Sequence, residues 1–175
     1  MNSSEFTTFL QTRRSVREYT DEDVDTETII RLLNVTQFGP TAGNRQAWDI
    51  IIVTDPGIKE DLYDISYQQE HLITAPVLLV ICANYIRSMS QYGERGILYA
   101  LQDATIAGTY LMLAAHAEGL QTCWTGAFED DGIREVLDLP EHIRPLAIIA
   151  LGHGKTPATR PDKMLLSEHL HENIW

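Results

Sequence analysis

The stretch over residues 96–118 constrains this chain more than any other. Leu98, Leu101, Ile106, Leu111 and Met112 recur among many alanines, and Gly119 ends the run, so the sequence predicts one long central helix around which the rest must pack. Its Ala100, Ala104, Ala107 and Gly108 let another helix or backbone approach closely, and ordinary core packing within one subunit is the plainer reading of the same residues. Ser3 or Ser4 can cap a short first helix carrying Phe6, Phe9 and Leu10. A second helix should start near Asp25 or Thr26, turn Ile29, Ile30, Leu32, Leu33 and Phe38 inward, and stop at Gly39-Pro40. Residues 50–53, 77–82, 121–124 and 146–151 read as strands, with a turn at Asp55-Pro56-Gly57 before a helix over 58–65 and a short helix over 133–137. Helices alternating irregularly with four short strands, without repeats or low-complexity linkers, indicate an α+β sandwich of helices around one sheet. At 175 residues and 44% hydrophobic content, one domain over 1–175 is expected.

Charge removes several function classes. A balance of 13 basic against 25 acidic residues gives −12, which opposes general nucleic-acid binding. The longest apolar run, residues 75–83, falls short of a membrane helix, and an acidic run follows Arg13-Arg14 where an export signal would need an apolar one. A soluble, cytoplasmic chain is the expectation. Cys82 and Cys123 sit in apolar stretches as reduced buried thiols. Gly154-Lys155-Thr156 lacks the P-loop's first glycine, whose position holds Ile149, and Gly152-His153-Gly154 meets Pro157 where a dinucleotide fingerprint needs its third glycine. Asp21, Asp23 and Asp25 begin like a calcium loop, but Thr26 and Leu32 replace its glycine and glutamate, so they read as a solvated helix start. No metal set and no nucleophile–base pair emerges.

Three polar segments survive this elimination, and together they suit a bound cofactor. Arg13, Arg14 and Arg17 fall within five positions where even spreading puts roughly 0.4 basic residues. With the Ser15 hydroxyl they offer forked donors matched to a phosphate; a solvated basic loop is the plainer alternative. Residues 39–46 combine small side chains with Asn44 and Gln46, amides able to read a ring edge, although a bare turn needs no more than this. Trp124-Thr125-Gly126-Ala127-Phe128 sets aromatic bulk beside a small backbone window suited to a planar ring, or forms a core aromatic beside a turn. Residues 152–175 form a polar tail ending on Ile174-Trp175, an apolar end that suggests docking.

On these residues the sequence resembles the FMN-dependent nitroreductase family. Arg13-Arg14-Ser15-Val16-Arg17 is similar to that family's N-terminal flavin-phosphate element, and Pro40-Thr41-Ala42-Gly43-Asn44-Arg45-Gln46-Ala47-Trp48 to the turn a partner subunit lends to the flavin. Thr41 stands for the usual serine and Ala47 for the usual proline. Thr125-Gly126-Ala127 resembles the loop near the flavin ring, Arg160 and Lys163 the basic tail that returns to the phosphate, and Gln68 or His71 falls where larger relatives place further contacts. The resemblance implies a central mixed sheet flanked by helices, a homodimer with FMN at the interface and the central helix as its seam. It also implies reduction by NAD(P)H and reoxidation by a nitroaromatic, quinone or similar small organic acceptor, with no side chain needed as general acid. Two other readings stay open: a flavoprotein of the same fold that dehalogenates or fragments flavin, and a non-enzymatic module binding a phosphorylated ligand.

Overall fold

The strand β2 (Val77–Asn84) is buried along all eight residues, and its side chains alternate between two cores as the period of a strand requires. Val77, Leu79, Ile81 and Ala83 enter one apolar cluster, while Leu78, Val80 and Cys82 enter another on the opposite face. A strand apolar on both faces belongs in the middle of a sheet covered on both sides. The computed structural model, which describes residues 2–154 and 161–175, shows that arrangement. β1 (Trp48–Val53), β2, β3 (Gln121–Thr125) and β4 (Ile143–Gly152) form one sheet in the order β1-β2-β4-β3. Every pairing of these strands is antiparallel, where a mixed sheet was expected. The chain leaves β1 at Val53 and re-enters at Val77, next to Val53's partner Leu78, so the intervening helices return it to the end of the sheet it left. Among the described residues a parallel contact enters only at the isolated bridge between Ser15 and Thr122.

The long helix α6 (Arg95–Ala117) runs over one face beside α2 (Thr26–Thr36). By length and composition α6 could cross a membrane, yet its small residues Ala100, Ala104, Ala107 and Gly108 are buried within the chain, Ala100 and Ala104 in the apolar cluster that includes β2 and Gly108 against Trp124 of β3. Within one chain these small residues therefore face its own core. A Cβ on Gly108 would stand 2.8 Å from the Trp124 ring, so only glycine lets helix and sheet meet here. On the other face, α3 (Pro56–Ile65), α4 (His71–Thr74) and α7 (Asp130–Val136) bury Leu62, Leu72 and Ile133. α1 (Ser3–Thr12) buries none of its residues, and α5 (Tyr85–Tyr92) precedes α6.

Several local expectations shift for identifiable reasons. Asn2, one position before the serines, caps α1 through a reciprocal pair with Glu5: the Glu5 N–H donates to Asn2 Oδ1 at 3.0 Å and the Asn2 N–H to Glu5 Oε2 at 2.8 Å. Asp55-Pro56-Gly57 is a helix start, since Asp55 Oδ1 accepts the Ile58 N–H at 3.0 Å and Pro56 occupies the first turn. α2 closes at Thr36, which leaves Phe38 79% exposed where it was expected to point inward. Asp25 caps α2 as expected, accepting the Thr28 N–H at 2.8 Å.

Candidate functional site

After α1 the chain runs extended along the open edge of β3. The Val16 N–H donates to the Thr122 carbonyl at 3.1 Å, and the buried Tyr19 hydroxyl donates to the Val16 carbonyl at 2.9 Å and lies 3.2 Å from that of Ala150. Val16 and Tyr19 thus anchor the segment, while Arg17 stays exposed. Arg13, Arg14, Ser15, Arg17 and Lys163 line a cleft of about 290 Å³ together with Leu10, Gln11 and Pro161. No carboxylate is among those residues. One Arg14 nitrogen is turned away, donating to the carbonyls of Gln11 at 2.5 Å and Arg13 at 3.0 Å, which closes the end of α1. Arg13 and Arg17 make no side-chain hydrogen bond or ion pair among the described residues. Arg160 lies outside the described residues, so of the two tail cations only Lys163 is placed.

The bridge between Ser15 and Thr122 is parallel, and by Tyr19 the segment has passed to an antiparallel bridge with Gly154, while the Arg17 charge acts on His71 and Cys123. His71, 3% exposed, places Nε2 2.6 Å from Thr125 Oγ1. Burial, and then the Arg17 guanidinium, hold this imidazole below its ordinary pKa. Gln69 Nε2 donates to the Ala127 carbonyl at 3.0 Å and the Glu129 N–H to that of Ile65 at 3.1 Å, so the approach to α4 is stitched to the 125–129 loop at three points. Tyr67 and Gln68 both take left-handed φ of 56° at this turn, and Gln68 is exposed. Residues 68–71 and Thr125-Gly126-Ala127 therefore meet, and the Arg17 charge reaches His71 there. Burial pushes the Cys123 thiol up, and that of Cys82 up to about 12, which removes both as thiolate nucleophiles.

The 40–47 loop lies elsewhere in the chain. It leads into β1, at the edge of the sheet opposite β3, roughly 14 Å away across three strand spacings. It also rests on Asp103, whereas Thr12 at the far segment meets His116, 13 residues or roughly 20 Å further along α6. Ala42–Asn44 is a single tight turn in which Gly43 has φ 54° and Asn44 φ 56°, and Gln46 follows at φ 48°. A side chain at Gly43 would collide with the Tyr92 hydroxyl and the Gln91 amide. Left-handed backbone at Asn44 and Gln46 costs on the order of 1 kcal/mol each, so the surroundings must impose it. Asp103 does so from α6: Oδ1 accepts the Ala42 N–H at 2.9 Å and Oδ2 the Ala47 N–H at 3.1 Å. Arg87 of α5 donates to the carbonyls of Gln46 at 3.1 Å and Trp48 at 2.8 Å and to Asp49 Oδ1 at 2.7 Å. Sequence reasoning missed both Asp103 and Arg87. One chain thus joins the 68–71 turn to the 125–127 loop and lets Arg17 act on His71, and it does not bring Pro40, Thr41, Ala42, Asn44 or Gln46 to the arginine cleft.

Residues 10–71 and 66–153 match the sequence model of the nitroreductase family. The chain belongs to that family. Among relatives of this nitroreductase-family chain, a protein of Methanothermobacter thermautotrophicus provisionally named NADH dehydrogenase/NAD(P)H nitroreductase is 32% identical, over 91% of the chain and 85% of its own length. An FMN reductase (NADPH) of Bacillus subtilis is 28% identical, over 93% and 71%. The solved NfrA1 nitroreductase of B. subtilis superposes with a TM-score of 0.89 at 27% identity, covering 96% of this chain and 74% of that one. The α+β architecture is therefore that of solved nitroreductases.

Proposed function

We propose that this nitroreductase-family chain is an FMN-dependent NAD(P)H oxidoreductase, acting as a homodimer that reduces nitroaromatics, quinones or similar small organic acceptors in ping-pong alternation. The observation that carries this reading is the arginine cleft, whose Arg17 also acts on His71 beside Thr125. Guanidinium, hydroxyl and ammonium donors meet there without a carboxylate, as a phosphomonoester requires in a chain of charge −12. The NAD(P)H nitroreductase and FMN reductase names of its relatives support the same cofactor and the same reductant. FMN held there would supply the hydride chemistry that links a nicotinamide reductant to an acceptor.

The protein's own residues bind and orient. Arg13, Ser15, Arg17 and Lys163 hold the phosphate, with Arg14 fixing the end of α1, and the exposed Gly126 and Ala127 backbone lies beside the ring. Asn44 and Gln46 read a ring edge, and their distance from the cleft within one chain supports their coming from a second copy. The tail supports this as well: Met164, Leu165, Leu166, Leu170, Ile174 and Trp175 are all exposed, an apolar strip that needs a surface to cover it.

Replacing Arg13 and Arg17 with Ala should weaken FMN binding by about a hundredfold, as loss of two charge-assisted contacts implies, while riboflavin, which lacks the phosphate, binds unchanged. Fluorescence quenching of each flavin on titration measures both. An unchanged FMN affinity would remove the phosphate assignment. Stabilisation by FMN without any NAD(P)H oxidation would favour the non-enzymatic module.

A further inference from the structure

The 40–47 loop is held in a costly shape by groups that take no part in the cleft. Asp103 is only 2% exposed and makes no ion pair among the described residues. Both of its oxygens are spent on backbone N–H groups at the two ends of the loop, Ala42 at 2.9 Å and Ala47 at 3.1 Å. A single carboxylate gripping amides five residues apart fixes the span of everything between them. Arg87 holds the exit from outside, through the carbonyls of Gln46 and Trp48. Arg45, the loop's own cation, is turned back onto α5, donating to the Arg87 carbonyl at 2.9 Å and to Ser90 Oγ at 2.8 Å. Thr41 Oγ1 accepts the Gln46 N–H at 3.3 Å. What the loop leaves to solvent is the pair of amides on Asn44 and Gln46, joined only by a long contact of 3.4 Å. Strained backbone persists where its surroundings over-determine it, and it concentrates where a ligand is received.

We propose that Asp103 is a positioning residue for the flavin ring, with Arg87 its outer counterpart: together they set the 41–47 loop in its binding shape before the cofactor arrives. The inference rests on the FMN reading above. Preorganisation of this kind spares binding the cost of ordering the loop, so its loss weakens affinity for the ring whatever the phosphate end carries. Arg13 and Arg17 act on the opposite end of the ligand.

The test compares FMN with riboflavin as probes on the full-length wild type, Asp103→Asn and Arg87→Gln. Asparagine keeps one acceptor oxygen but turns an NH₂ donor toward the other backbone N–H. Both variants should lose affinity for FMN and riboflavin by the same factor, about tenfold or more, with amide exchange at Ala42 and Ala47 accelerated in Asp103→Asn. Arg87 is exposed, so its variant carries the test should Asp103→Asn fail to fold. Unchanged affinity of the folded variants for both flavins, or a loss confined to FMN, would overturn the inference while leaving the functional reading intact. Wild type that binds neither flavin overturns both.

Discussion

At the scale of residues, His71 has the most specific consequence. Burial and Arg17 lower its pKa in the fold, so the native chain holds it neutral while the unfolded chain takes up a proton near its ordinary value of about 6.5. A histidine depressed in this way leaves stability unaffected above that pH and erodes it as the pH falls below, until the folded group itself protonates. His71→Gln should therefore flatten the acid limb of a denaturation series just below about pH 6.5 relative to wild type. Identical slopes would show that the imidazole is not desolvated as described. Arg13 and Arg17 are legible in the sequence because clustered charge is a local property. Asp103 is not: one aspartate in a helical run reads as a polar interruption, and only the packing of α6 beneath the 41–47 loop gives its oxygens two amides to accept.

At the scale of elements, strong periodic signals survive folding and cooperative details do not. β2 and α6 are readable because their apolar patterns match how they are buried. α5 escapes notice because its residues 85–92 are largely polar, and its value lies in Arg87, which only the folded loop can use. The small residues of α6 were legible as a close-approach face, but one chain cannot say whether a neighbour or its own sheet fills it. Here the Trp124 ring and the side chains of Ile81 and Ile149 do. Gly108→Leu should thus cost about 1–3 kcal/mol or more, as overpacking of a filled core does. Chemical denaturation measures it, and a neutral result would mean that α6 can lift from the sheet without penalty.

At the scale of the whole molecule, a chain of charge −12 carries, among its described residues, a cleft lined by cations and by no carboxylate, while the loop best able to read a ring edge sits at the far side of the sheet. Two copies arranged so that each lends its 40–47 loop to the other's cleft resolve that separation, and the exposed tail ending on Trp175, 98% accessible, offers a means of holding them together. Sedimentation should give a particle of twice 19.8 kDa, and removing residues 161–175 should shift it toward the monomer and weaken FMN binding, since Lys163 leaves with them. A wild-type monomer that binds FMN fully would contradict the shared site. Whether this chain passes electrons from NAD(P)H through FMN is read from the absorbance spectrum of the FMN-loaded protein under anaerobic titration with NADH or NADPH. The flavin band should bleach with one equivalent of reductant and return when a quinone is added; a band that neither nucleotide bleaches would rule out an NAD(P)H oxidoreductase.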